Sequence, residues 1–185
     1  MNTLLRFEGV ALRRGGRLLF EGLDLELRPG EAMQVAGPNG SGKSSLIRLA
    51  AGLLNAERGK VKRSRLALAD DNLALDRELG LRRALGLWVP YHPLDRALQI
   101  MNIDSLSEAP VRLLSAGQAR KARLARVIAT GAPLWLLDEP LNGLDSDGSE
   151  RLAAVIDSHR GRGGAVLAAS HQPFPGDWLR LELGA

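Results

Sequence analysis

A glycine-rich loop that ends in lysine and serine could bind phosphate groups. Residues 37–44 fit the pattern G-x-x-x-x-G-K-[ST] at every fixed position. Glycines let backbone N–H groups turn toward phosphates, and a helix that begins near Lys43 points its positive end at them. Lys43 would reach the outer phosphates, and the hydroxyl of Ser44 is placed to ligate Mg²⁺. An ordinary turn before a helix is the alternative interpretation. The loop predicts a nucleotide site at Gly37, Pro38, Asn39, Gly40, Ser41, Gly42, Lys43, Ser44 and Ser45.

Two adjacent carboxylates follow an apolar segment about 95 residues further along the chain. Leu134 to Leu137 has the composition of a buried strand, and Asp138 and Glu139 come directly after it. Asp138 would hold Mg²⁺, and Glu139 beside the metal suits a catalytic base that polarises the attacking water. A strand that simply meets a turn at Pro140 is the alternative interpretation when this segment is taken alone.

A third segment, Leu114-Ser115-Ala116-Gly117-Gln118, predicts the start of a helix. Ser115 is a typical N-cap residue, and Leu124, Val127 and Ile128 would form the buried face of the helix that follows. A helix N-terminus made of small residues is also a place where anions bind. Because the chain already holds one phosphate-binding loop, a second such place that faces outward suggests the nucleotide of a partner.

The elements that position these residues alternate between strands and helices, which indicates an α/β fold with a parallel sheet. Apolar runs predict buried strands at 31–36, 134–137 and 165–169, and helical spacing predicts helices at 43–51 and 149–159. Residues 17–28 alternate like a strand, and Trp178 to Leu183 predicts a half-exposed strand. The leucine-rich middle, about 73–113, is interrupted by prolines and predicts a small helical lobe.

The composition of the chain excludes several classes of function. The chain has 185 residues, 45% of them hydrophobic, no cysteine and a net charge of +4. Thiol chemistry and disulfides are excluded, and no apolar run approaches the roughly 18–20 residues that span a bilayer. The N-terminus does not resemble a signal peptide. The basic residues are scattered, so we expect a solvated arginine-rich surface and no nucleic acid as partner.

Taken in order, these segments resemble the ATP-binding-cassette (ABC) transporter ATPases across nearly the whole chain. The order is the phosphate-binding loop, Leu-Ser-Ala-Gly-Gln, Leu-Leu-Asp-Glu-Pro, Gly-Leu-Asp, and a late strand followed by a histidine. The alanine at 116, the run 134–140, Leu144-Asp145-Ser146-Asp147-Gly148 and Ser170-His171-Gln172-Pro173 are similar to the ATP-binding subunit of the cytochrome c maturation haem exporter. The resemblance implies a single domain over 1–185 with the P-loop NTPase fold, a mixed and mainly parallel sheet, a small N-terminal antiparallel lobe and a helical lobe.

The resemblance also implies roles for particular residues. Two subunits of that family pack head to tail, and each ATP lies between the loop of one and the signature of the other. Asp145 is implied to communicate across the dimer, and His171 to act catalytically at the γ-phosphate with Glu139 and Lys43. The other two histidines, His92 and His159, are expected to be solvated. The signature implied to contact the partner's ATP is Leu114, Ser115, Ala116, Gly117 and Gln118.

At two positions the sequence departs from the family pattern. Asn72 takes the place of the usual glutamine that contacts Mg²⁺ and the attacking water, with Asp70 and Asp71 beside it. Arg14 stands where an aromatic ring usually stacks on adenine, although Arg13 or Phe20 could serve instead.

The implied cofactors are ATP and Mg²⁺, and the implied partners are a second ATPase subunit and an integral membrane permease subunit. The location implied is cytoplasmic, on the inner face of the cell membrane, with haem not bound by this chain. A soluble ABC ATPase that acts on the ribosome or DNA remains an alternative, as does a degenerate cassette that only binds ATP.

Overall fold

A parallel sheet and a smaller antiparallel sheet form the framework of the computed structural model, which describes residues 3–70 and 75–184. The antiparallel sheet contains β1 (Leu5–Arg14), β2 (Arg17–Leu27) and β4 (Arg58–Arg63), in the order β2-β1-β4. Its first two strands form a hairpin whose two-residue turn is Gly15-Gly16, both with positive φ. Such a turn matches the right-handed twist of the strands.

The parallel sheet has the strand order β5-β6-β7-β3-β8. Its three central strands are buried along their whole length and are apolar except for Gln34 and Asp138, as expected when both faces of a sheet are covered. The five strands are β3 (Ala32–Ala36), β5 (Leu66–Ala69), β6 (Leu134–Asp138), β7 (Ala165–Ala169) and β8 (Leu179–Glu182).

Alternate residues of the parallel strands enter two different cores. On β6, Trp135 and Leu137 pack in the cluster that contains residues of α2–α5. Leu134 and Leu136 pack in a second cluster, with α1 and the antiparallel sheet. This two-residue period places one layer of structure on each face of the sheet. The helices are α1 (Lys43–Ala51), α2 (Leu81–Gly86), α3 (Tyr91–Ile100), α4 (Ala116–Ala129) and α5 (Ser146–Gly161).

Most predicted elements lie where the sequence indicated. The α/β fold is confirmed, helix α1 has the predicted bounds and ends at Gly52, and β7 covers 165–169. Helix α5 begins three residues earlier than predicted because Asp145 caps it. Between residues 75 and 113 the chain forms α2, α3 and two 3₁₀ turns, Asp104–Leu106 and Val111–Leu113. No helix in the described part of the chain is long and apolar enough to cross a membrane.

The expectation that His159 is solvated is wrong. Its side chain is buried and stacks on the ring of Trp135, with ring centroids 3.8 Å apart and planes 9° from parallel. His159 lies in the last turn of α5, on the side that packs against β6 of the sheet. Burial lowers the pKa of its imidazole, although hydrogen bonding with the backbone of Pro133 and Ala165 acts the other way. His92, on α3, is exposed as expected.

Candidate functional site

The phosphate-binding loop joins the end of β3 to the start of α1. Gly42 caps the helix with φ of 107°, a conformation that disfavours any other residue. At Gly37 a side chain would clash, because its Cβ would lie 2.3 Å from the carbonyl oxygen of Leu183. The side chain of Lys43 is buried, and its Nζ donates to the carbonyl oxygens of Gly37 at 2.8 Å and Pro38 at 3.0 Å. These bonds hold the ammonium group across the loop.

Ser44 and Asp138 meet at the edge of the sheet next to this loop. The hydroxyl of Ser44 donates to Oδ1 of Asp138 at 2.9 Å. Burial raises the pKa of the Asp138 carboxyl, although the Ser44 hydrogen bond and the charge of Arg48 act the other way. A hydroxyl and a carboxylate are the hard oxygen donors that Mg²⁺ takes in proteins, and a cation would offset the burial of the negative charge. The residues present therefore fit a Mg²⁺ site.

Glu139 has an unusual backbone conformation for a residue with a side chain, with φ of 48°. Its N–H donates to the carbonyl oxygen of Ala169 at 2.8 Å, which fixes the turn against the end of β7. A residue with a side chain in this left-handed conformation destabilises the folded chain by on the order of 1–3 kcal/mol, and such residues cluster at functional sites. The turn directs the carboxylate toward His171, whose Nε2 lies 3.1 Å from Oε1 of Glu139.

These groups surround one open cavity of about 450 Å³. The phosphate-binding loop, the β1–β2 hairpin, and Glu139 and His171 all contribute to its lining. The structure thus brings together, within one cavity, residues that lie up to about 157 positions apart in the sequence. The lining residues are Arg14, Leu19, Asn39, Gly40, Gly42, Lys43, Ser44, Ser45, Glu139 and His171.

Residues 114–118, which we call the signature segment, do not line this cavity. Ser115 caps α4 through a reciprocal pair of bonds: the N–H of Gln118 donates to Oγ of Ser115 at 3.2 Å, and Oε1 of Gln118 accepts from the N–H of Ser115 at 2.9 Å. Ala116 is the first residue of the helix, and Leu114 packs against the core. Gly117 lies so close to Gly143 that its Cβ would be 2.7 Å from the Gly143 carbonyl oxygen.

A second cavity, of about 410 Å³, lies at the signature segment. It contains Asp145, which caps α5 by accepting from the N–H of Gly148 at 2.8 Å. Nζ of the buried Lys121 lies 2.9 Å from Oδ1 of Asp145. The hydrogen bond from Lys121, assisted by that from Gly148, lowers the pKa of the Asp145 carboxyl. This contact couples α4 to the segment after β6.

Lys121 of the second cavity and Leu19 of the first are among the lining residues that the sequence did not predict. Lys121 follows Gln118 by nearly one helical turn, so its approach to the signature segment could have been found from helical spacing. Leu19 carries no signal that separates it from the other leucines of β2. Asn72, the predicted ligand near Mg²⁺ and water, and Asp71 beside it lie outside the described residues.

Comparisons with known proteins agree with this geometry. The family described as ABC transporter matches residues 20–142. The "Cytochrome c biogenesis ATP-binding export protein CcmA" of Sphingopyxis alaskensis is 55% identical, covering 92% of this chain and 91% of that protein. The protein of the same name from Novosphingobium aromaticivorans is 53% identical, covering 89% and 87%.

Among solved structures, an ATP binding subunit of an ABC transporter has a TM-score of 0.83 over 91% of this chain and 80% of that chain. At 22% identity this likeness concerns the fold. With the fold, the phosphate-binding loop and the paired carboxylates in place, the chain belongs to the ABC transporter family and is an ATPase of that family.

Proposed function

We propose that this chain is the ATP-binding and ATP-hydrolysing subunit of an ABC exporter that serves cytochrome c biogenesis, with haem as the cargo. The observation that carries the proposal is the 450 Å³ cavity in which Lys43, Ser44, Glu139 and His171 meet. The name of the two relatives above supports the biological role.

The cavity supports a mechanism for hydrolysis. Lys43 and the loop N–H groups bind the β- and γ-phosphates, as the buried ammonium group can exchange its carbonyl partners for phosphate oxygens. Ser44 and Asp138 would hold Mg²⁺, which would neutralise charge on the phosphates. Glu139 accepts a proton from the attacking water, and His171 holds the carboxylate in position through its 3.1 Å contact. Asn72 is proposed to contact the metal and the water.

A second copy is proposed to complete each site. The signature segment lies in a cavity separate from that of Lys43, so it can meet the γ-phosphate held by a partner in a head-to-tail dimer. Ser115, Ala116 and Gly117 would make that contact at the N-terminus of α4. Asp145 would report the state of the dimer, because Lys121 ties it to the signature helix.

The permease is proposed to dock on the helical lobe, about residues 73–113 of a single domain over 1–185. Three large apolar side chains are exposed there within five residues: Leu87, Trp88 and Tyr91, with exposed fractions of 73%, 57% and 46%. Aromatic residues of this kind are typical anchors of interfaces. Docking on an integral membrane partner would place the chain on the inner face of the cell membrane.

The alternatives fit the observations less well. A soluble ABC ATPase that acts on the ribosome or DNA is not favoured, because the relatives above are named as export proteins. A degenerate cassette is not favoured either, since Glu139 and His171 lie in contact at the cavity. We propose that haem is not bound by this chain: it has no cysteine, and its three histidines are the exposed His92, the buried His159 and His171.

A trapping experiment tests the proposed function. A tagged Glu139→Gln variant is incubated with MgATP and solubilised native membranes, and the co-purifying proteins are identified. Loss of the base slows hydrolysis, so the ATP-bound dimer and its membrane partner should accumulate. The Glu139→Gln, Lys43→Ala double variant is the matched control, because it cannot hold ATP.

We expect an integral membrane permease to co-purify with the single variant and to be depleted when the double variant is used. Recovery of ribosomes or DNA-repair proteins without a membrane protein would contradict the export role and leave the ATPase chemistry in place. Equal recovery with both variants would contradict the assignment of an ATP-dependent dimer.

A further inference from the structure

A polar side chain stands in the middle of β3, one of the central strands of the parallel sheet. The strand has the sequence Ala-Met-Gln-Val-Ala, and Gln34 is buried, with an exposed fraction of 8%. Strands buried on both faces are usually apolar. Burying an amide group without hydrogen-bond partners costs free energy, so buried amides are normally hydrogen-bonded. The partners of Gln34 therefore indicate what this side chain does.

The amide group of Gln34 joins β3 to the segment that carries His171. Its Nε2 donates to the carbonyl oxygen of Ser170 at 3.1 Å and to that of Gln172 at 3.0 Å. Only the NH₂ end of an amide can donate to two carbonyl oxygens, which fixes the orientation of the group. Gln34 thus holds the main chain on both sides of His171, although 136 and 138 residues separate it from these two partners in the sequence.

Two local hydrogen bonds close the same segment into a tight turn. Oγ of Ser170 donates to the carbonyl oxygen of Gln172 at 2.9 Å and accepts from the N–H of Gln172 at 3.1 Å. The carbonyl oxygen of Gln172 has two lone pairs, so it accepts from both Ser170 and Gln34. The local bonds fix the shape of the turn, whereas the bonds from Gln34 fix where the turn stands relative to β3.

The position of this turn determines where the imidazole of His171 lies. Ser170 is buried, while 46% of the His171 side chain is exposed and its Nε2 lies 3.1 Å from Oε1 of Glu139. Strand β3 leads directly into the phosphate-binding loop, because Gly37 follows its last residue. Gln34 therefore ties the contact between His171 and Glu139 to the strand that also positions the phosphate-binding loop.

Resting on the proposed function, we propose that Gln34 is a positioning residue for ATP hydrolysis that acts through His171. Gln34 lies outside the set of residues that line the nucleotide cavity, so its effect on the reaction must pass through another group. Its hydrogen bonds lie in the buried interior, where the low dielectric strengthens them. Without these bonds the turn keeps its internal bonds but can shift against the sheet, and His171 shifts with it. Because a misplacement of about 1 Å can reduce a rate by about 100-fold, a smaller shift should still give a measurable loss.

A purely structural role for Gln34 makes a different prediction. If Gln34 only stabilised the sheet, its loss would lower the free energy of unfolding and leave the turnover of the folded protein unchanged. Positioning through His171 requires instead that the loss of turnover disappears once the imidazole itself has been removed. A double-mutant cycle separates the two roles, because the effects of residues that act through one another do not add.

The test measures phosphate release from MgATP by the full chain, with kcat and KM determined for each variant. The variants are Gln34→Met, His171→Ala and the double variant, since methionine is similar to glutamine in size but donates no hydrogen bond. Gln34→Leu is a second substitution in case Gln34→Met does not fold, which circular dichroism shows. Arg160→Met is the matched control: Arg160 also donates to a main-chain carbonyl, that of Gly30 at 3.0 Å, but just before the opposite end of β3.

We expect Gln34→Met to lower kcat by about 3- to 30-fold and to leave KM for ATP within about twofold of the wild-type value. In the His171→Ala background the same substitution should change kcat by less than about twofold. Gln34→Leu should behave as Gln34→Met does, and Arg160→Met should match the wild type.

Three outcomes would overturn this inference. A kcat of folded Gln34→Met within about twofold of the wild type would mean that hydrolysis does not depend on Gln34. Equal losses with and without the imidazole would mean that Gln34 acts by a route other than His171. A raised KM with unchanged kcat would place its effect on nucleotide binding.

Failure of the proposed function would give a different result. The wild-type protein would then release no phosphate from MgATP, or Lys43→Ala would release it undiminished. The inference about Gln34 rests on that function and would fail with it.

Discussion

Nε2 of His171 lies 3.1 Å from Oε1 of Glu139, although 32 residues separate the two in the sequence. Strands β6 and β7 pair in parallel with Asp138 opposite Ala169, so the residues after them emerge at the same edge of the sheet. The backbone N–H of His171 also donates to Oε2 of Glu139, at 3.4 Å. His171 thus contacts both oxygens of the carboxylate at the nucleotide cavity, where we propose that Glu139 acts on the attacking water.

Replacing His171 by alanine should reduce ATP hydrolysis by about 10- to 100-fold, because a small misplacement of a catalytic group has effects of this size. Binding of MgATP should change little, since Lys43 and the loop remain. Phosphate release and calorimetric binding measure the two effects. His92→Ala, on the exposed face of α3, is the control and should match the wild type. Hydrolysis by His171→Ala at the wild-type rate would argue against a positioning role.

Gly117 should not tolerate a side chain. Its Cβ would lie 2.7 Å from the Gly143 carbonyl oxygen, a backbone atom that can move only with its loop. We expect Gly117→Ala to lower the free energy of unfolding by about 1–3 kcal/mol. Gly161→Ala is the matched control: it is also a helical glycine, has open space around it, and should be neutral or stabilise by up to about 1 kcal/mol. Urea denaturation measures both, and equal values would show that α4 does not pack this tightly on Gly143.

Stability should fall as the pH is lowered through the range below about 6.5, and His159 should contribute to this fall. Burial lowers the pKa of His159 in the folded chain, so below the ordinary value the unfolded chain binds a proton that the folded chain does not. The slope from this one group approaches about 1.4 kcal/mol per pH unit. His159→Phe keeps an aromatic ring on Trp135 but cannot titrate, so its unfolding free energy should vary less between pH 7.5 and 5.5. Parallel curves for the two proteins would contradict this.

Trp88 should be required for capture of the proposed permease. Truncating an aromatic anchor of an interface often costs 2 kcal/mol or more, or about 30-fold in affinity. In the trapping experiment, Trp88→Ala in the Glu139→Gln background should recover far less of the membrane protein. Leu53→Ala is the control, because Leu53 is equally exposed, at 61%, but follows α1 outside the helical lobe. Equal losses from both substitutions would contradict docking at Trp88.

The sequence predicted the strands and the residues at their ends well, for a physical reason. Strands buried on both faces of a parallel sheet must be almost wholly apolar, which makes β6 and β7 recognisable. The polar residues of the candidate site then follow at the carboxyl ends of these strands, which is where ligands bind in open parallel sheets. The loop before α1 was predictable because its glycines are required by its backbone.

Long-range contacts between side chains were less predictable. The stack of His159 on Trp135 was not predicted, because a polar residue in the last turn of a helix is expected to be solvated. Only the packing of α5 against the sheet buries it. A β-bulge places Leu19 at the cavity, because Leu12 pairs with Phe20 and Arg13 pairs with Leu18. This bulge depends on the register of two strands, which local sequence does not specify. The contact between Lys121 and Asp145 joins two helices that sequence periodicity treats separately.

Glu139 is proposed to be the base that activates the attacking water, and Lys43 is proposed to hold the phosphates of ATP. The most direct test is release of phosphate from MgATP by the wild type, Glu139→Gln and Lys43→Ala, with ATP binding measured on the same preparations. We expect Glu139→Gln to bind ATP normally and to hydrolyse it at least about 100-fold more slowly than the wild type. Lys43→Ala is expected to lose ATP binding. Turnover by Glu139→Gln within a few-fold of the wild type would contradict the assignment.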